Sequence, residues 1–232
     1  MTLEDKPLTR TTSVRRAASA LRRAIDRPYT QPAKQEGERR VLLMVADGSE
    51  EIEVFAPFDV LVRAGLNPVI VSLSPEFSPS QSLPYITLSR GAKVIADTTF
   101  ETLRDEYKHD FDAVVIPGGA KGAERLSQSP ELQELVRSFF DQGKLVGMIC
   151  SGALAAKAAG LEPSLVLTSH PSAKAELEKA FVYSDDRVVV SGPSRNLVTS
   201  RGPGTAIEFA LKIVELMSGP AKRDEVAAPM MI

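Results

Sequence analysis

The sequence predicts a three-layer α/β/α sandwich built on a mostly parallel sheet. Short apolar, β-branched runs alternate with segments of helical periodicity along most of the chain. The runs are continuous rather than alternating in polarity, as expected for parallel strands that are buried on both faces. With 232 residues, of which 43% are apolar and 25% charged, the chain can form one substantial core.

A βαβ unit opens the predicted domain. Residues 40–46 (RVLLMVA) and 67–73 (NPVIVSL) are buried strands, and a helix between them runs from about Glu50 to Ala64, where Gly65 ends it. Pro57 falls inside this helix and predicts a kink or a short first turn. The crossover between the two strands should be right-handed.

The remaining elements continue the alternation of strands and helices. We predict a hairpin (85–89 and 92–95), a short helix (100–107), a core strand (113–116), a helix (132–140), a strand (145–149), a helix (151–159), a strand (165–168), a helix (172–180), a second hairpin (188–190 and 197–199) and a final helix (206–217). This order is typical of the flavodoxin-like type of sandwich.

The first 38 residues differ in composition from the predicted domain, which spans residues 39–232. Residues 1–40 carry ten Lys or Arg and five Asp or Glu, a charge of +5, which leaves −7 for the remainder of a chain with net charge −2. The basic, Ser- and Ala-rich arm resembles an organellar transit peptide, although Glu4 and Asp5 are unusual there, and a flexible disordered arm is the alternative. We expect a cytoplasmic protein, or one that is both cytoplasmic and nuclear, with a mitochondrial or plastid protein as the alternative if the arm is a transit peptide.

Several functional classes are not expected. No run of about 18 apolar residues predicts a membrane span. The acidic domain and an arm with Tyr29 as its one aromatic residue do not favour nucleic-acid binding. Neither GxGxxG nor GxxxxGK[ST] follows a predicted strand, so we expect no nucleotide cofactor, and no metal site is predicted.

Cys150 is the only cysteine of the chain and lies between a predicted strand and a predicted helix, in the segment KLVGMICSGALAAKAAG (144–160). A side chain at such an elbow faces free N–H groups at a helix N-terminus, where the dipole favours a thiolate. Gly147 and Gly152 flank it and allow the close backbone approach that an elbow requires. The alternative is a small buried apolar residue, the more common role of a free cysteine.

Acids and a histidine are predicted near this thiol because they follow strands whose carboxyl ends share one edge of the sheet. Glu53 lies one helical turn after Glu50 and can point back at this edge, where burial would raise its pKa and suit it to move protons. His170 follows the strand at 165–168 and is a candidate base or substrate-orienting group. His109, in contrast, precedes a strand and is predicted to be a surface residue.

Gly118 and Gly119 end the predicted strand at 113–116. Glycines at this point can turn backbone N–H groups towards a ligand, although most Pro-Gly-Gly sequences are only turns.

Taken together, these motifs resemble the DJ-1/PfpI superfamily and, within it, the DJ-1 branch, over roughly residues 40–229. The segments that carry the resemblance are ADGSEEIEV, VVIPGGAKGAERL, GMICSGALA, TSHPSAK and TSRGPGTAIEFALKIVELMSG. The resemblance implies a flavodoxin-like fold, a homodimer, and a nucleophilic Cys150 hydrogen-bonded to a protonated Glu53. It also implies an oxyanion-type pocket formed by the N–H groups of Gly119 and Ser151, with His170 nearby.

Two arginines match residues that lie near the site at the dimer interface of DJ-1 proteins, namely Arg63 and Arg90. The additional cysteines of animal DJ-1 proteins fall on Leu88 and Ala96, so redox roles proposed for those cysteines do not transfer.

The resemblance implies a cofactor-independent glyoxalase, in which Cys150 adds to methylglyoxal or glyoxal and lactate or glycolate is released. Deglycation of proteins uses related chemistry on glycated side chains. The alternative is a sensor of oxidative stress or a redox chaperone, in which Cys150 becomes a sulfinate. A cysteine peptidase is disfavoured because Ser151 occupies the place of the histidine that such relatives use.

Overall fold

The computed structural model describes residues 34–73, 85–103 and 110–232. His109 and most of the basic arm lie outside these ranges. Residues 34–38, the end of the predicted arm, pack on the domain, since Lys34 Nζ lies 2.8 Å from Asp112 Oδ2 and Glu38 binds Arg40 and Asn67.

A seven-stranded sheet forms the centre of the molecule, in the order β10-β11-β7-β6-β1-β2-β5. All neighbouring strands in it are parallel except β10 and β11. Two small two-stranded sheets, β3–β4 and β8–β9, lie outside it. The strands are β1 (Arg40–Val45), β2 (Asn67–Ser72), β3 (Ile86–Thr87), β4 (Lys93–Val94), β5 (Thr98–Thr99), β6 (Ala113–Ile116), β7 (Leu145–Ile149), β8 (Val166–Leu167), β9 (Val182–Tyr183), β10 (Val188–Ser191) and β11 (Leu197–Ser200).

Helices cover both faces of the sheet. They are α1 (Glu51–Arg63), α2 (Ala120–Gln128), α3 (Pro130–Asp141), α4 (Leu154–Ala158), α5 (Pro171–Leu177), α6 (Ala206–Ser218) and α7 (Pro220–Ala227), with 3₁₀ turns at Cys150–Ala153, Pro203–Thr205 and Ala228–Met230. One hydrophobic cluster joins the sheet to α1, α6 and α7, and a second joins it to α2 to α5. The predicted three-layer sandwich is therefore confirmed.

The strands are buried as their apolar sequences predict. Alternate residues of β1 belong to opposite clusters, Leu42 and Met44 to one and Val41, Leu43 and Val45 to the other. Both predicted hairpins are present, and α1 runs unbroken through Pro57. The sequence did not reveal α2, α7, β5 or β9.

Among the residues that the structure describes, no helix combines the length and the apolar character needed to cross a bilayer.

Candidate active site

Cys150 lies at a sharp elbow directly after β7. Its φ is 63°, whereas Ile149 before it is extended. A residue with a side chain at positive φ costs of order 1–3 kcal/mol, and such strain is concentrated at functional sites. Gly152 allows the turn to pack, because a Cβ there would lie 2.6 Å from the carbonyl oxygen of Ile116. The predicted elbow between strand and helix is thus present.

Glu53 points from the first turn of α1 to this elbow and is completely buried. Its backbone N–H donates to Glu50 Oε2 at 2.9 Å, so Glu50 caps the helix. Its Oε2 accepts the Gly118 N–H at 2.7 Å, while its Oε1 is buried without a hydrogen-bond partner among the described residues.

Gly118 lies against both the thiol and the carboxyl group. A Cβ at this position would lie 2.6 Å from Cys150 Cβ, 2.9 Å from Cys150 Sγ and 2.7 Å from Glu53 Oε2. Only a glycine fits there without moving the two side chains. Its N–H is bonded to Glu53, so Gly118 positions the acid and does not offer this N–H to a ligand.

Burial perturbs both ionisable groups of the pair. Burial raises the pKa of Glu53 to about 7, and the charge of Glu50 adds to this, while hydrogen bonds from the Cys150 thiol and the Gly118 N–H act in the opposite direction. Burial also raises the pKa of Cys150 to about 12, together with the negative charge of Glu53, against hydrogen bonds from the Ser151 and Gly119 N–H groups.

The expectation that a helix dipole favours the Cys150 thiolate is therefore corrected. The elbow leads into a single 3₁₀ turn and a five-residue helix, and burial together with the charge of Glu53 acts against the thiolate. A proton on Glu53 removes the neighbouring charge and supplies a donor to the sulfur. Thiolate formation and protonation of Glu53 are thus coupled.

Two backbone N–H groups, those of Gly119 and Ser151, are directed at Cys150 Sγ. Gly119 has φ 85°, and a Cβ there would overlap the carbonyl oxygen of Gly48. Both the backbone conformation and the close packing at position 119 therefore require a glycine. The two groups predicted to form an oxyanion-type pocket lie beside the same sulfur.

His170 lies at the rim of the site and is exposed. It is the N-cap of α5, and its Nδ1 accepts the Ser172 N–H at 3.2 Å. Its Cδ2 lies 3.6 Å, and Glu53 Oε1 3.9 Å, from the point that a Cβ on Gly202 would occupy. Gly202 thus lies between the histidine and the acid, a role that the turn sequence SRGPGT did not reveal.

The two predicted arginines are placed differently. The Arg90 N–H donates to Glu51 Oε1 at 2.6 Å, which ties its loop to the start of α1, close to Glu53. Arg63 lies at the far end of α1, about 15 Å along the axis from Glu53 at 1.5 Å per residue. Its Nε is 2.7 Å from Asp59 Oδ2. Within one chain, Arg63 is not part of the site.

Within the described ranges, no group of three or more His, Cys, Asp or Glu side chains is arranged to hold a metal ion.

Comparison with known proteins identifies the family. A model of the DJ-1/PfpI family matches residues 39–216. The chain belongs to this family. One relative in this family is "Glutathione-independent glyoxalase DJ-1" of Schizosaccharomyces pombe, 35% identical over 81% of this chain and 95% of that protein. "Glutathione-independent glyoxalase DJR-1.2" of Caenorhabditis elegans is 36% identical over 83% of this chain and 95% of its own length.

Solved DJ-1 structures share the fold. Schizosaccharomyces pombe DJ-1 matches with a TM-score of 0.76 at 34% identity, over 83% of this chain and 99% of that one. Drosophila melanogaster DJ-1beta matches with a TM-score of 0.75 at 36% identity, over 84% and 98%. The flavodoxin-like prediction and the family resemblance are both confirmed.

Proposed function

We propose that this protein is a glutathione-independent glyoxalase that converts methylglyoxal to lactate, and glyoxal to glycolate, through Cys150. The observation that supports this proposal most directly is the completely buried Glu53, whose pKa is raised to about 7, beside the only thiol of the chain. An acid with a pKa near neutrality can both give and take a proton during one turnover. The names of the S. pombe and C. elegans relatives support the same activity.

The first step forms a bond between Cys150 Sγ and the aldehyde carbon. Glu53, in its carboxylate form, takes the thiol proton as Sγ attacks. The electron pair of the carbonyl moves onto its oxygen, which then receives that proton from Glu53, giving a hemithioacetal. The N–H groups of Gly119 and Ser151 lie at the sulfur and are the nearest donors for the negative charge on that oxygen.

The next steps move a proton between neighbouring carbons. Glu53, now a carboxylate, removes the hydrogen of the former aldehyde carbon as a proton, and the electron pair forms an enediol. Return of a proton to the second carbon gives a hydroxyacyl thioester, so the first carbon is oxidised and the second reduced. Water then cleaves the thioester, which releases the hydroxy acid and restores the Cys150 thiol. No external oxidant or reductant is consumed.

Protein deglycation is a second proposed activity of the same pair. The hemithioacetal could form from a dicarbonyl released by a glycated side chain as well as from the free aldehyde. The two activities are distinguished by comparing the rate at which glycated adducts are removed with the rate at which free aldehyde is consumed. Deglycase activity requires that the adducts disappear faster. Equal or slower removal of adducts would leave only the glyoxalase.

We further propose that the protein is a homodimer, as the family resemblance implies. Helix α1 exposes Ile52, Phe55 and Val62, which are 51%, 43% and 50% accessible. At 100° per residue they lie on one stripe of the helix with Arg63, opposite the face that buries Glu53. Large apolar side chains gathered on one face favour an interface.

The activity is tested by incubating the full chain with methylglyoxal, without glutathione or added metal, and measuring D- and L-lactate. We expect turnover by the wild type, none above background for Cys150→Ala, and a loss of about 10²–10⁴-fold for Glu53→Gln, the usual contribution of a positioned acid or base. The exposed Glu162→Gln is the matched control and should behave as wild type. No turnover by folded wild type would overturn the proposal and favour the redox sensor.

A further inference from the structure

We propose that His170 acts as a hydrogen-bond donor through Nε2–H rather than as a base, and that Ser172 is the positioning residue that fixes this tautomer. The inference rests on the proposed function, because it assigns a role within that site. Of the two roles that the sequence left open for this histidine, base or substrate-orienting group, the proposal selects the second.

Two groups of Ser172 contact His170 Nδ1. The backbone N–H of Ser172 donates to His170 Nδ1 at 3.2 Å, and the Ser172 hydroxyl lies 2.8 Å from the same nitrogen. A backbone N–H can only donate, so Nδ1 must present its lone pair. The hydroxyl, which can donate or accept, then donates as well. A neutral imidazole carries one proton, and this proton is left on Nε2.

The start of α5 explains why these groups meet. His170 has extended dihedral angles, φ −61° and ψ 142°, and is the N-cap, with Pro171 in the first helical position. Because proline has no N–H, the N–H of Ser172 is the first free donor of the helix. An N-cap side chain normally accepts from the second or third residue of the helix, and here the acceptor is an imidazole nitrogen.

The opposite tautomer is disfavoured by the same contacts. A base at Nε2 would have to be unprotonated there, which puts the proton of the neutral ring on Nδ1. That proton would then face the N–H of Ser172, and two donors would oppose each other. One hydrogen bond would be lost, and the helix N-terminus would lose its cap.

The protonated edge of the ring borders the reactive pair. Cδ2, which is bonded to Nε2, lies 3.6 Å from the point a Cβ on Gly202 would occupy, and Glu53 Oε1 lies 3.9 Å from that point. An Nε2–H at this edge is suited to donate to the second oxygen of a dicarbonyl, the one that becomes the hydroxyl of the product. This oxygen gains negative charge as the enediol forms, so the donor stabilises that step.

The tautomer can be measured directly by ¹⁵N NMR on the full chain with labelled histidine. The sequence has two histidines, so His109→Gln leaves His170 as the only signal. In the neutral ring, we expect Nδ1 to show the shift of an unprotonated nitrogen and Nε2 that of a protonated one. Dominance of the Nδ1–H form would overturn the proposal. Because no substrate is present, this result is independent of whether the glyoxalase proposal holds.

Ser172 variants test the positioning role in the same spectrum. Ser172→Ala keeps the backbone donor but removes the hydroxyl, so the Nδ1–H fraction should rise, while Ser172→Thr should restore the wild-type ratio. A spectrum of Ser172→Ala equal to that of the wild type would overturn the part assigned to the hydroxyl.

Activity of two His170 variants separates donor from base. Glutamine can place an amide N–H near the position of Nε2, whereas asparagine retains the cap but cannot reach as far. A donor predicts that His170→Gln loses less than about tenfold in kcat, as for one neutral hydrogen bond, and that His170→Asn loses more, with KM changed less than kcat. If His170 were the base, kcat of both variants would fall by about 10²–10⁴-fold, and this result would contradict the proposal.

Discussion

Glu53 is an acid held where its charged form is disfavoured. Its pKa is raised from 4.5 to about 7, chiefly by burial. The folded state therefore binds a proton more tightly than the unfolded chain does. This contribution is fully present below about pH 4.5 and is lost as pH rises through about 7, by about 3 kcal/mol at 1.36 kcal/mol per pKa unit.

A comparison of wild type with Glu53→Gln tests this sign. The glutamine is neutral at every pH. The free energy of unfolding of Glu53→Gln should therefore increase relative to that of the wild type by about 3 kcal/mol between about pH 4.5 and 8. Denaturant unfolding at several pH values measures this difference in free energy. The pH-dependent contributions of titrating groups that both proteins share cancel in it. A difference that is constant with pH would show that Glu53 has an ordinary pKa in the folded state.

At the residue scale, the sequence predicted that Cys150 and Glu53 lie close together because each follows the carboxyl end of a core strand. It also suggested a raised pKa for a buried carboxyl group. It did not show that the Gly118 N–H is taken by Glu53, or that Gly202 lies between Glu53 and His170. Both contacts join residues far apart in the chain, and no local pattern encodes them.

At the element scale, α1 has one buried face and one exposed apolar face. One buries Glu53, and the other exposes the apolar stripe of Ile52, Phe55 and Val62. If this stripe is the dimer interface, then association covers the helix that carries the acid, and it also buries the stripe on which Arg63 lies.

Phe55→Glu places a charge at the centre of this stripe, where its desolvation would oppose association. We expect a dimer for the wild type and a monomer for Phe55→Glu by sedimentation velocity at equal concentrations. Ile95→Glu is the matched control, since Ile95 is also exposed, at 56%, but lies after β4 outside the stripe. An unchanged dimer in Phe55→Glu, or a monomeric wild type, would contradict the assignment.

Three of the four elements that the sequence did not reveal, α2, β5 and β9, were missed for physical reasons. Helix α2 reads AKGAERLSQ, which has a single large apolar residue and a glycine, so its periodicity is weak. Gly122 within it is required by packing, because a Cβ there would overlap the backbone N of Ser49. Strands β5 and β9 have two residues each, too few for any pattern.

At the scale of the whole molecule, alternation of buried strands and helices was enough to predict the sandwich and the edge of the sheet where the site lies. The order of the strands was not predictable from that alternation. The order places β1, β6 and β7 side by side, which brings Glu53, Gly118 and Cys150 together. The electrostatic outcome, a thiol whose pKa is raised rather than lowered, depends on this three-dimensional burial.

The central claim is that Cys150 and Glu53 act as one reactive pair. The most direct test mixes wild type, Cys150→Ala and Glu53→Gln with methylglyoxal, quenches each at short times, and measures intact mass, the modified peptide and released lactate. We predict lactate from the wild type, a single Cys150 adduct that accumulates in Glu53→Gln with little lactate, and neither in Cys150→Ala. Lactate formation by Cys150→Ala at the wild-type rate, or full turnover by Glu53→Gln, would contradict the account.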